Sequence, residues 1–218
     1  MSSAVLIIAS TRAHADIQEI LRLQDTISAL QQKGYAVDLL APRLSPLLSA
    51  ALPAETSVLT VPVFPLCGNL PPRASIRRFV IATLMVLRGI ALCARKDYVV
   101  LHGFNDGARI ARMIDQLSLT RRPFIAELPS PSADPKLGRG LRIALARFFE
   151  RRAFRRAAAV ILPDADTLAF FSPKLSRARV SLMPDPHAEL SPDSFTVGDF
   201  TTALMHVYDY VLRPHSKA

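Results

Sequence analysis

The chain has 218 residues, of which 50% are hydrophobic and 21% are charged. A chain of this length can bury a full core, and this composition excludes intrinsic disorder. The formal net charge of +9 calls for an anionic partner, which could be a nucleic acid, an anionic membrane surface or a phosphorylated ligand. Charge alone does not choose among the three.

No stretch of the sequence predicts a targeting or membrane-spanning segment. The first apolar run, AVLIIA at 4–9, is short and no Lys or Arg precedes it, unlike a signal peptide. The longest apolar tract, FVIATLMVL, ends at Arg88 and is too short to cross a bilayer. Cys67 and Cys93 have no metal-type spacing and are interpreted as buried thiols in a reducing compartment. We therefore expect a cytoplasmic protein that can associate peripherally with a membrane.

Short apolar runs alternate with helical patterns, which is typical of βα repeats around a parallel sheet. Helices are predicted at about 16–33, 75–96 and 107–117, with short pieces at 45–52 and after 163, and a basic helix at 137–157. The predicted strands lie within 4–10, 35–42, 57–64, 98–104, 123–129, 158–163 and 180–186. These strands lack alternation, which indicates that both faces of the sheet are covered. The predicted class is therefore α/β, a single Rossmann-like, doubly wound, mainly parallel sheet of about seven strands with helices on both faces.

The tail departs from this alternation. A Rossmann-like domain is predicted at 1–190, and 191–218 is predicted to be a linker and an amphipathic helix that packs back on that domain. Thr196 and Asp199 form a capping-box pattern at the start of the helix, and Pro214 marks its end. Its apolar stripe consists of Phe200, Ala203, Leu204, Val207, Tyr208, Val211 and Leu212.

Open α/β sheets bind ligands outside the carboxyl ends of their strands, which here selects the loops at 10–16, 102–107, 127–134 and 163–166. The first loop, STRAHAD, has no glycine, which argues against a dinucleotide fingerprint, and the sequence contains no P-loop. No nucleotide cofactor is therefore expected to bind in this chain.

Several polar residues at these strand ends are candidate contacts to a substrate. Glu127 ends an apolar strand, where a carboxylate is costly unless it is paired or faces a cleft, and residues of the first loop are candidate partners. His102 is either a ligand contact or a core histidine satisfied by the backbone. Asn105 and Asp106 either contact a ligand or cap the following helix, and capping is the favoured interpretation of Asp106. The candidate substrate-binding set is Arg12, His14, His102, Asn105, Gly107 and Glu127.

The sequence predicts neither a catalytic set nor a metal site. It has no G-x-S-x-G elbow, no Cys–His pairing and no pair of carboxylates with argued proximity. The five histidines have no metal-ligand spacing.

The basic residues fall into two groups, one on the long helix at 75–96 and one between Lys136 and Arg156. On the long helix, positions 11 and 18 residues apart share one stripe because they are separated by near-whole numbers of turns. The stripe is either a solvated edge, which is favoured, or a surface for anionic lipid or a phosphate-linked acceptor. Nucleic acid is not expected, because no binding motif occurs and aromatic residues are not interleaved with the arginines. The candidate membrane or anion surface is Arg77, Arg88, Arg95, Arg139, Arg142, Arg151 and Arg155.

The order of these features resembles that of GT-B glycosyltransferases of the family-four type. LRLQDTISALQQKGYAVDLLAP is similar to their first helix, a glycine and their second strand, and DYVVLHGFNDGARIAR is similar to their D-V-V-H strand. ERRAFRRAAAVILPDADTLAFF resembles the elements that close the N-terminal domain, and RVSLMPDPHAEL resembles the strand before the interdomain linker. The resemblance covers about residues 4–190.

Two departures from the family pattern change what the resemblance implies. STRAHAD replaces the glycine pair that often follows the first strand, which weakens a donor-phosphate role for this loop. The nucleotide-sugar-binding C-terminal domain is missing, although FTTALMHVYDYVLR resembles the last helix of such enzymes, which returns to the N-terminal domain.

The resemblance implies a hexosyltransferase-type acceptor-side domain for a sugar or lipid-linked acceptor, as in polysaccharide biosynthesis. It also implies that the chain is inactive without a nucleotide-sugar-binding partner chain or domain, or that it belongs to a longer enzyme. The alternatives are a non-catalytic binding or scaffold protein that retains the fold, and a small independent α/β enzyme. A surface left exposed by the missing domain leads us to expect self-association.

Overall fold

The structure is a computed structural model of the chain. It describes residues 3–9, 17–42, 46–61, 74–119, 121–128, 152, 154–171, 179–184, 186–187 and 195–213. The basic helix predicted at 137–157 falls almost entirely outside the described residues.

The described strands form one seven-stranded sheet in the order β3-β2-β1-β4-β5-β6-β7, and every neighbouring pair is parallel. The predicted α/β class and parallel sheet are confirmed. The order reverses between β1 and β4, which is the switch point where sheets of this type bind ligands. The strands are β1 (Ala4–Ala9), β2 (Ala36–Ala41), β3 (Ser57–Thr60), β4 (Tyr98–Phe104), β5 (Phe124–Glu127), β6 (Ala159–Leu162) and β7 (Arg179–Leu182).

The helices of the described part of the chain begin and end close to the predicted positions. Gly34 adopts a φ of +83° just after the first of them, the left-handed conformation that lets a glycine end a helix. The helices are α1 (Ile17–Gln32), α2 (Pro46–Ala51), α3 (Ala74–Arg95), α4 (Gly107–Leu117), α5 (Ala165–Phe171) and α6 (Val197–Leu212).

The sheet carries a hydrophobic core on each face because successive side chains of a strand point to opposite sides. Alternate strand residues such as Ile7 and Val100 pack with α1 and α6 on one face. Their neighbours, such as Leu6 and Leu101, pack with α3 and α4 on the other. The two helices of the second face approach closely at Gly89, where a Cβ atom would lie 2.2 Å from Ile114 Cδ1.

Helix α6 is the last described element of the chain and packs against α1, as its apolar stripe predicts. The predicted capping box is confirmed: the Asp199 N–H donates to Thr196 Oγ1 at 3.2 Å, and the Thr196 N–H donates to Asp199 Oδ2 at 2.9 Å. Ala203 and Leu212 of the predicted stripe are only partly buried. The fully covered positions of α6 are Phe200, Leu204, Met205, Val207, Tyr208 and Val211.

No helix in the described part of the chain is long and apolar enough to cross a membrane. Cys93 is buried, as predicted, and burial raises the pKa of its thiol while the nearby Arg122 partly lowers it. Cys67 lies outside the described residues.

Candidate functional site

Polar side chains meet beneath the carboxyl edge of the sheet, next to the switch point between β1 and β4. His102 lies near the end of β4, and Glu127 is the last residue of β5, opposite Phe104 in the register of the two strands. His102 shares its side of β4 with Val100 and Phe104, so its imidazole points toward α1 and α6. Both candidates therefore lie within the first core rather than above the strand ends.

Glu127 is paired with Arg22 of α1. The guanidinium donates from Nε to Glu127 Oε1 at 2.7 Å and from Nη2 to the Met183 carbonyl oxygen at 3.0 Å. Neither charged side chain is exposed to solvent. The sequence predicts that Glu127 is either paired or faces a cleft, and in the structure it is paired, in an ion pair. The same guanidinium also joins α1 to the chain that leaves β7.

His102 links this ion pair to the C-terminal helix. Its Nε2 atom lies 2.9 Å from Glu127 Oε2, a close electrostatic contact that is too poorly aligned for a hydrogen bond. Its Nδ1 atom lies 2.8 Å from the Tyr208 hydroxyl of α6. Because a phenol can donate to Nδ1, this arrangement fits the tautomer with the proton on Nε2. We call Arg22, Glu127, His102 and Tyr208 the buried polar cluster.

The protonation of the buried polar cluster follows from burial and from its internal charges. Burial alone would raise the pKa of Glu127, but the Arg22 guanidinium and His102 outweigh it and lower that pKa overall. Burial and then the Glu127 charge raise the pKa of Tyr208 well above its usual value. Glu127 is therefore an anion and Tyr208 a protonated hydrogen-bond donor at neutral pH.

Aromatic contacts complete the packing of the buried polar cluster. The Arg22 guanidinium carbon lies 5.0 Å from the centroid of the Phe200 ring of α6, within cation–π range. Arg22 Nη1 makes no hydrogen bond to any described residue. The cluster thus contacts α1, β4, β5, the end of β7 and α6, and since all four side chains are buried, its direct effect in this structure is to hold α6 on the sheet.

Asn105 lies in the loop above the buried polar cluster and has an unusual backbone. Its φ of +54° places a non-glycine residue in the left-handed region, and its N–H donates to the Glu127 carbonyl at 2.8 Å. Its Oδ1 atom is buried and accepts no hydrogen bond from the described residues. Asn105 is half-buried, so of the candidates that the structure describes it is the one with both an unsatisfied side-chain oxygen and partial access to solvent.

Two neighbours of Asn105 serve packing and charge pairing. Asp106 occupies the N-cap position of α4 but makes no capping hydrogen bond, and its carboxylate pairs with Arg109 instead. The capping interpretation is therefore wrong, and the reason is that Asp106 has helical φ and ψ rather than the extended geometry that a capping side chain needs. A Cβ atom at Gly107 would lie 1.8 Å from the Ile8 carbonyl oxygen, so glycine lets α4 start against β1.

The structure brings together some sequence-predicted residues and leaves others undescribed. His102, Asn105, Gly107 and Glu127 lie within one region, whereas Arg12 and His14 lie outside the described residues. The partner of Glu127 in the structure is Arg22, which the sequence reasoning missed. No sequence pattern singles out Arg22, because the burial of its neighbours Thr26 and Ala29 on α1 is known only from the structure.

Part of the predicted basic surface can be placed. Arg88 and Arg95 of α3 and Arg155 before β6 are exposed, while the side chain of Arg77 lies outside the described residues, as do Arg139, Arg142 and Arg151. Arg112, a buried residue of α4, was not predicted as a site residue. Burial and the nearby Arg152 and Arg156 lower its pKa, and Asp115 partly raises it. No group of three metal-ligating side chains occurs within the described ranges.

Comparison with known proteins connects this geometry to a family. A model of the glycosyl transferase 4-like domain matches residues 21–185. The chain belongs to this family. None of the curated proteins compared with it matches its sequence.

Solved structures support the same fold for this glycosyl transferase 4-like domain. Sucrose-phosphate synthase (tll1590) from Thermosynechococcus elongatus matches with a TM-score of 0.63 and 14% identity, over 84% of this chain and 48% of that protein. A second structure of it, designated 27_220_406_426, matches with a TM-score of 0.61 and 15% identity, over 95% of this chain and 97% of that one. A ugt transferase from Siraitia grosvenorii in complex with UDP matches with a TM-score of 0.57 and 10% identity, over 87% and 53%.

These likenesses show the GT-B, Rossmann-like fold and confirm the predicted resemblance. This chain spans about half the length of two of these structures, 48% of the first sucrose-phosphate synthase chain and 53% of the ugt transferase. It therefore corresponds to a part of such proteins, organised around a single sheet.

Proposed function

We propose that this chain is the acceptor-side domain of a glycosyltransferase. It binds a sugar or lipid-linked acceptor and needs a separate nucleotide-sugar-binding chain or domain for transfer. The observation that carries the proposal is that α6, the last described helix, returns to the sheet beside the strand ends and is held there by the buried polar cluster. Because the last helix of GT-B glycosyltransferases returns to the N-terminal domain, a returning helix in this chain supports a nucleotide-sugar-binding domain that is supplied separately.

The sucrose-phosphate synthase structures support this arrangement. This chain covers 97% of the structure designated 27_220_406_426 but 48% of the other one. These coverages support the view that the chain corresponds to a part of such a protein, and we propose its division into a sheet domain at 1–190 and a linker with the returning helix at 191–218.

The proposed acceptor site lies above the carboxyl ends of β1, β4 and β5. Among the described residues, Asn105 is the strongest candidate for contact with the acceptor. It has a left-handed backbone and an unsatisfied side-chain oxygen at a strand end, and both are features of ligand-binding positions. His102 and Glu127 lie beneath it, and the Glu127 carbonyl positions the Asn105 backbone because it accepts the Asn105 N–H. Arg12 and His14 are proposed to contact the acceptor from the loop after β1, and Gly107 to do so through its backbone.

The donor in this proposal is a nucleotide sugar bound by the partner. One structural neighbour was solved with UDP, which supports this class of donor. We place the reaction in the cytoplasm, in the assembly of a polysaccharide, with the exposed Arg88, Arg95 and Arg155 directed at an anionic membrane surface. Self-association through the surface that the partner would cover is a further part of the proposal.

A second candidate, a non-catalytic binding or scaffold protein, is favoured by a specific observation. The two ionisable candidates that the structure describes, His102 and Glu127, are both buried and lie in contact with each other, and Glu127 is also paired with Arg22. A cluster that is satisfied internally can maintain the fold without touching a substrate.

Reconstitution with the partner tests the proposal and separates the two candidates. The chain is captured from its native host, and any captured chain that binds a nucleotide sugar is assayed with it for transfer of labelled sugar to the lipid and polysaccharide fractions. We expect transfer by the pair and by neither chain alone. Asn105→Ala should reduce transfer by the pair about tenfold, the equivalent of one hydrogen bond, while Gln116→Ala, on exposed α4 surface, should not. If no nucleotide-sugar-binding partner is found and no pairing gives transfer, the acceptor-side function is wrong and the scaffold function is favoured.

A further inference from the structure

The outward side of α3 is apolar. Phe79 is 73% exposed and Leu87 is 59% exposed. Thr83, Ala91 and Ala94 are exposed as well, and the spacing of these five residues, four, four, four and three, puts them on one stripe of the helix. We call Phe79, Thr83, Leu87, Ala91 and Ala94 the outer α3 stripe.

The opposite side of the same helix is the one that packs on the sheet. Met85, Val86, Gly89 and Cys93 are buried there against β-strands and α4. A surface helix of a globular protein normally pairs a buried apolar side with a polar outer side. Helix α3 is apolar on both sides, so its outer stripe calls for a partner that is not provided by the described part of the chain.

The single polar side chain of the outer α3 stripe is already satisfied. The Thr83 hydroxyl donates to the Phe79 carbonyl oxygen one turn earlier, at 2.9 Å. Moving this side chain from water into an apolar medium therefore leaves no unpaired hydroxyl. The stripe can enter an apolar medium without losing a hydrogen bond.

The charges next to the stripe are positive. Helix α3, over its 22 residues, contains no Asp or Glu, and Arg88 and Arg95 are exposed along one edge of the stripe. Asp97, just beyond the helix, is paired with Arg122. An apolar stripe edged by arginines matches a bilayer interface, where acyl chains accept the apolar residues and lipid phosphates accept the guanidinium groups.

The neighbouring helix on the same face of the sheet also exposes apolar residues. Met113 and Leu117 of α4 are exposed, and Leu119, just after the helix, is fully exposed. The arginines at 152 and 156, which are near Arg112, add positive charge beside α4. A protein partner for this region would need an apolar centre surrounded by acidic groups. An anionic bilayer has an apolar interior beneath negatively charged headgroups across its whole surface.

We propose that α3 lies in the plane of an anionic membrane, with the outer α3 stripe inserted among the acyl chains and Arg88 and Arg95 at the level of the lipid phosphates. The proposal deepens the membrane part of the proposed function and rests on it, but it does not depend on sugar transfer. It differs from attraction by the arginines alone, because it assigns part of the binding to exposed apolar side chains.

Vesicle flotation of the full chain tests the proposal. Vesicles of phosphatidylcholine are compared with vesicles that also contain phosphatidylglycerol. We expect binding to the anionic vesicles, a decrease of at least tenfold for Leu87→Asp and for Phe79→Ser, and about a fivefold decrease for each arginine in Arg88→Gln and Arg95→Gln. The matched control is Ile17→Asp, which is 64% exposed on α1 at the other face of the sheet and should bind as the wild type does.

Several results would overturn the proposal. They are absence of wild-type binding, equal binding to neutral vesicles, or unchanged binding by both folded stripe variants, with folding checked by circular dichroism. Sedimentation that shows a dimer broken by Leu87→Asp, without vesicle binding, would assign the stripe to a second copy instead. Sugar transfer by this chain and its partner in detergent, with no binding of this chain to vesicles, would contradict only the membrane inference. Binding of this chain to vesicles, with no nucleotide-sugar-binding partner found, would contradict only the proposed function.

Discussion

The two faces of the sheet are completed differently. Both faces bury charged residues, including Asp38 and Arg112 on the face of α3 and α4, but on the face of α1 and α6 the helix that covers the buried polar cluster is supplied by the chain itself. On the face of α3 and α4, apolar residues such as Leu87 are exposed in the described structure. Buried charge and exposed apolar surface are the two informative departures from ordinary burial. The buried charge marks where the last helix packs on the sheet, and the exposed apolar surface marks where we propose that the protein binds a membrane.

The buried polar cluster has a cost as well as a use. Removing two charges from water is expensive, and their attraction offsets this only when the geometry is good. Arg22 and Glu127 achieve this with a 2.7 Å hydrogen bond, and Tyr208 is bound to the cluster through His102. The polar contacts add directional constraints to the apolar packing of α6 on α1. We infer that the polar contacts select one docking position for α6.

The largest expected effect comes from breaking the buried ion pair. Glu127→Gln leaves the Arg22 guanidinium buried without a counter-charge, so the free energy of unfolding, measured with urea, should fall by about 3–5 kcal/mol. Asp97→Asn breaks an ion pair in which Asp97 is largely exposed, and it should change stability by less than about 1 kcal/mol. The double variant Arg22→Met/Glu127→Leu, with no charge left to bury, should be more stable than Glu127→Gln. Equal losses for Glu127→Gln and Asp97→Asn would contradict the role of burial.

A leucine on each face gives the most direct comparison. Leu204 of α6 is fully buried and Leu87 of α3 is exposed. Leu204→Ala should cost about 2–5 kcal/mol because it leaves a cavity between α6 and the sheet. Leu87→Ala should stay within about 0.5 kcal/mol. Chemical denaturation measures both, and a large loss for Leu87→Ala would mean that the α3 side is covered by the chain's own residues.

Tyr208→Phe removes the hydroxyl that joins α6 to His102. The ring and its packing remain, so the loss should reflect the unsatisfied Nδ1 atom, about 1–3 kcal/mol by thermal or urea unfolding. Tyr210→Phe, also on α6 and only partly buried, serves as the comparison. Equal small losses in both variants would show that the Tyr208 hydroxyl does not hold the helix.

A change of pH tests the buried ion pair without a substitution, and its effect is the smallest. The folded-state pKa of Glu127 lies below the ordinary value of 4.5, so its contribution to stability is complete above about pH 4.5 and is lost as the pH falls through the lowered value. The unfolding free energy of the wild type should therefore fall more steeply below pH 4.5 than that of Glu127→Gln. Parallel curves for the two proteins would contradict the assignment.

Local sequence patterns predicted most of the fold. Strand β4 at 98–104 and helix α4 at 107–117 begin and end where the apolar runs and the glycine placed them, and the capping box at Thr196 formed as predicted. These features depend on neighbours within a few residues. The resemblance to GT-B glycosyltransferases rested on the order of elements, which the parallel sheet preserves.

The site was harder to predict because its contacts are not local. Arg22 and Glu127 are 105 residues apart, and His102 and Tyr208 are 106 apart, so no spacing rule connects them. For Asp106 the local pattern predicted a cap that the structure does not have. A residue of capping type stands at the N-cap position, but its backbone has the wrong conformation. The sequence also shows that the apolar tract containing Leu87 is too short to span a bilayer. It does not show which side of that helix stays exposed, because this depends on how α3 packs on the sheet.

Hydrogen exchange with and without anionic vesicles tests the contrast between the two faces most directly. If α6 is locked by the buried polar cluster, its amides should exchange only through the opening that also exposes the core strand β4, with the same free energy. Anionic vesicles should then slow exchange in α3 and leave α6 unchanged. Exchange of α6 at a lower free energy than β4, or protection by vesicles at α6 rather than α3, would contradict the account.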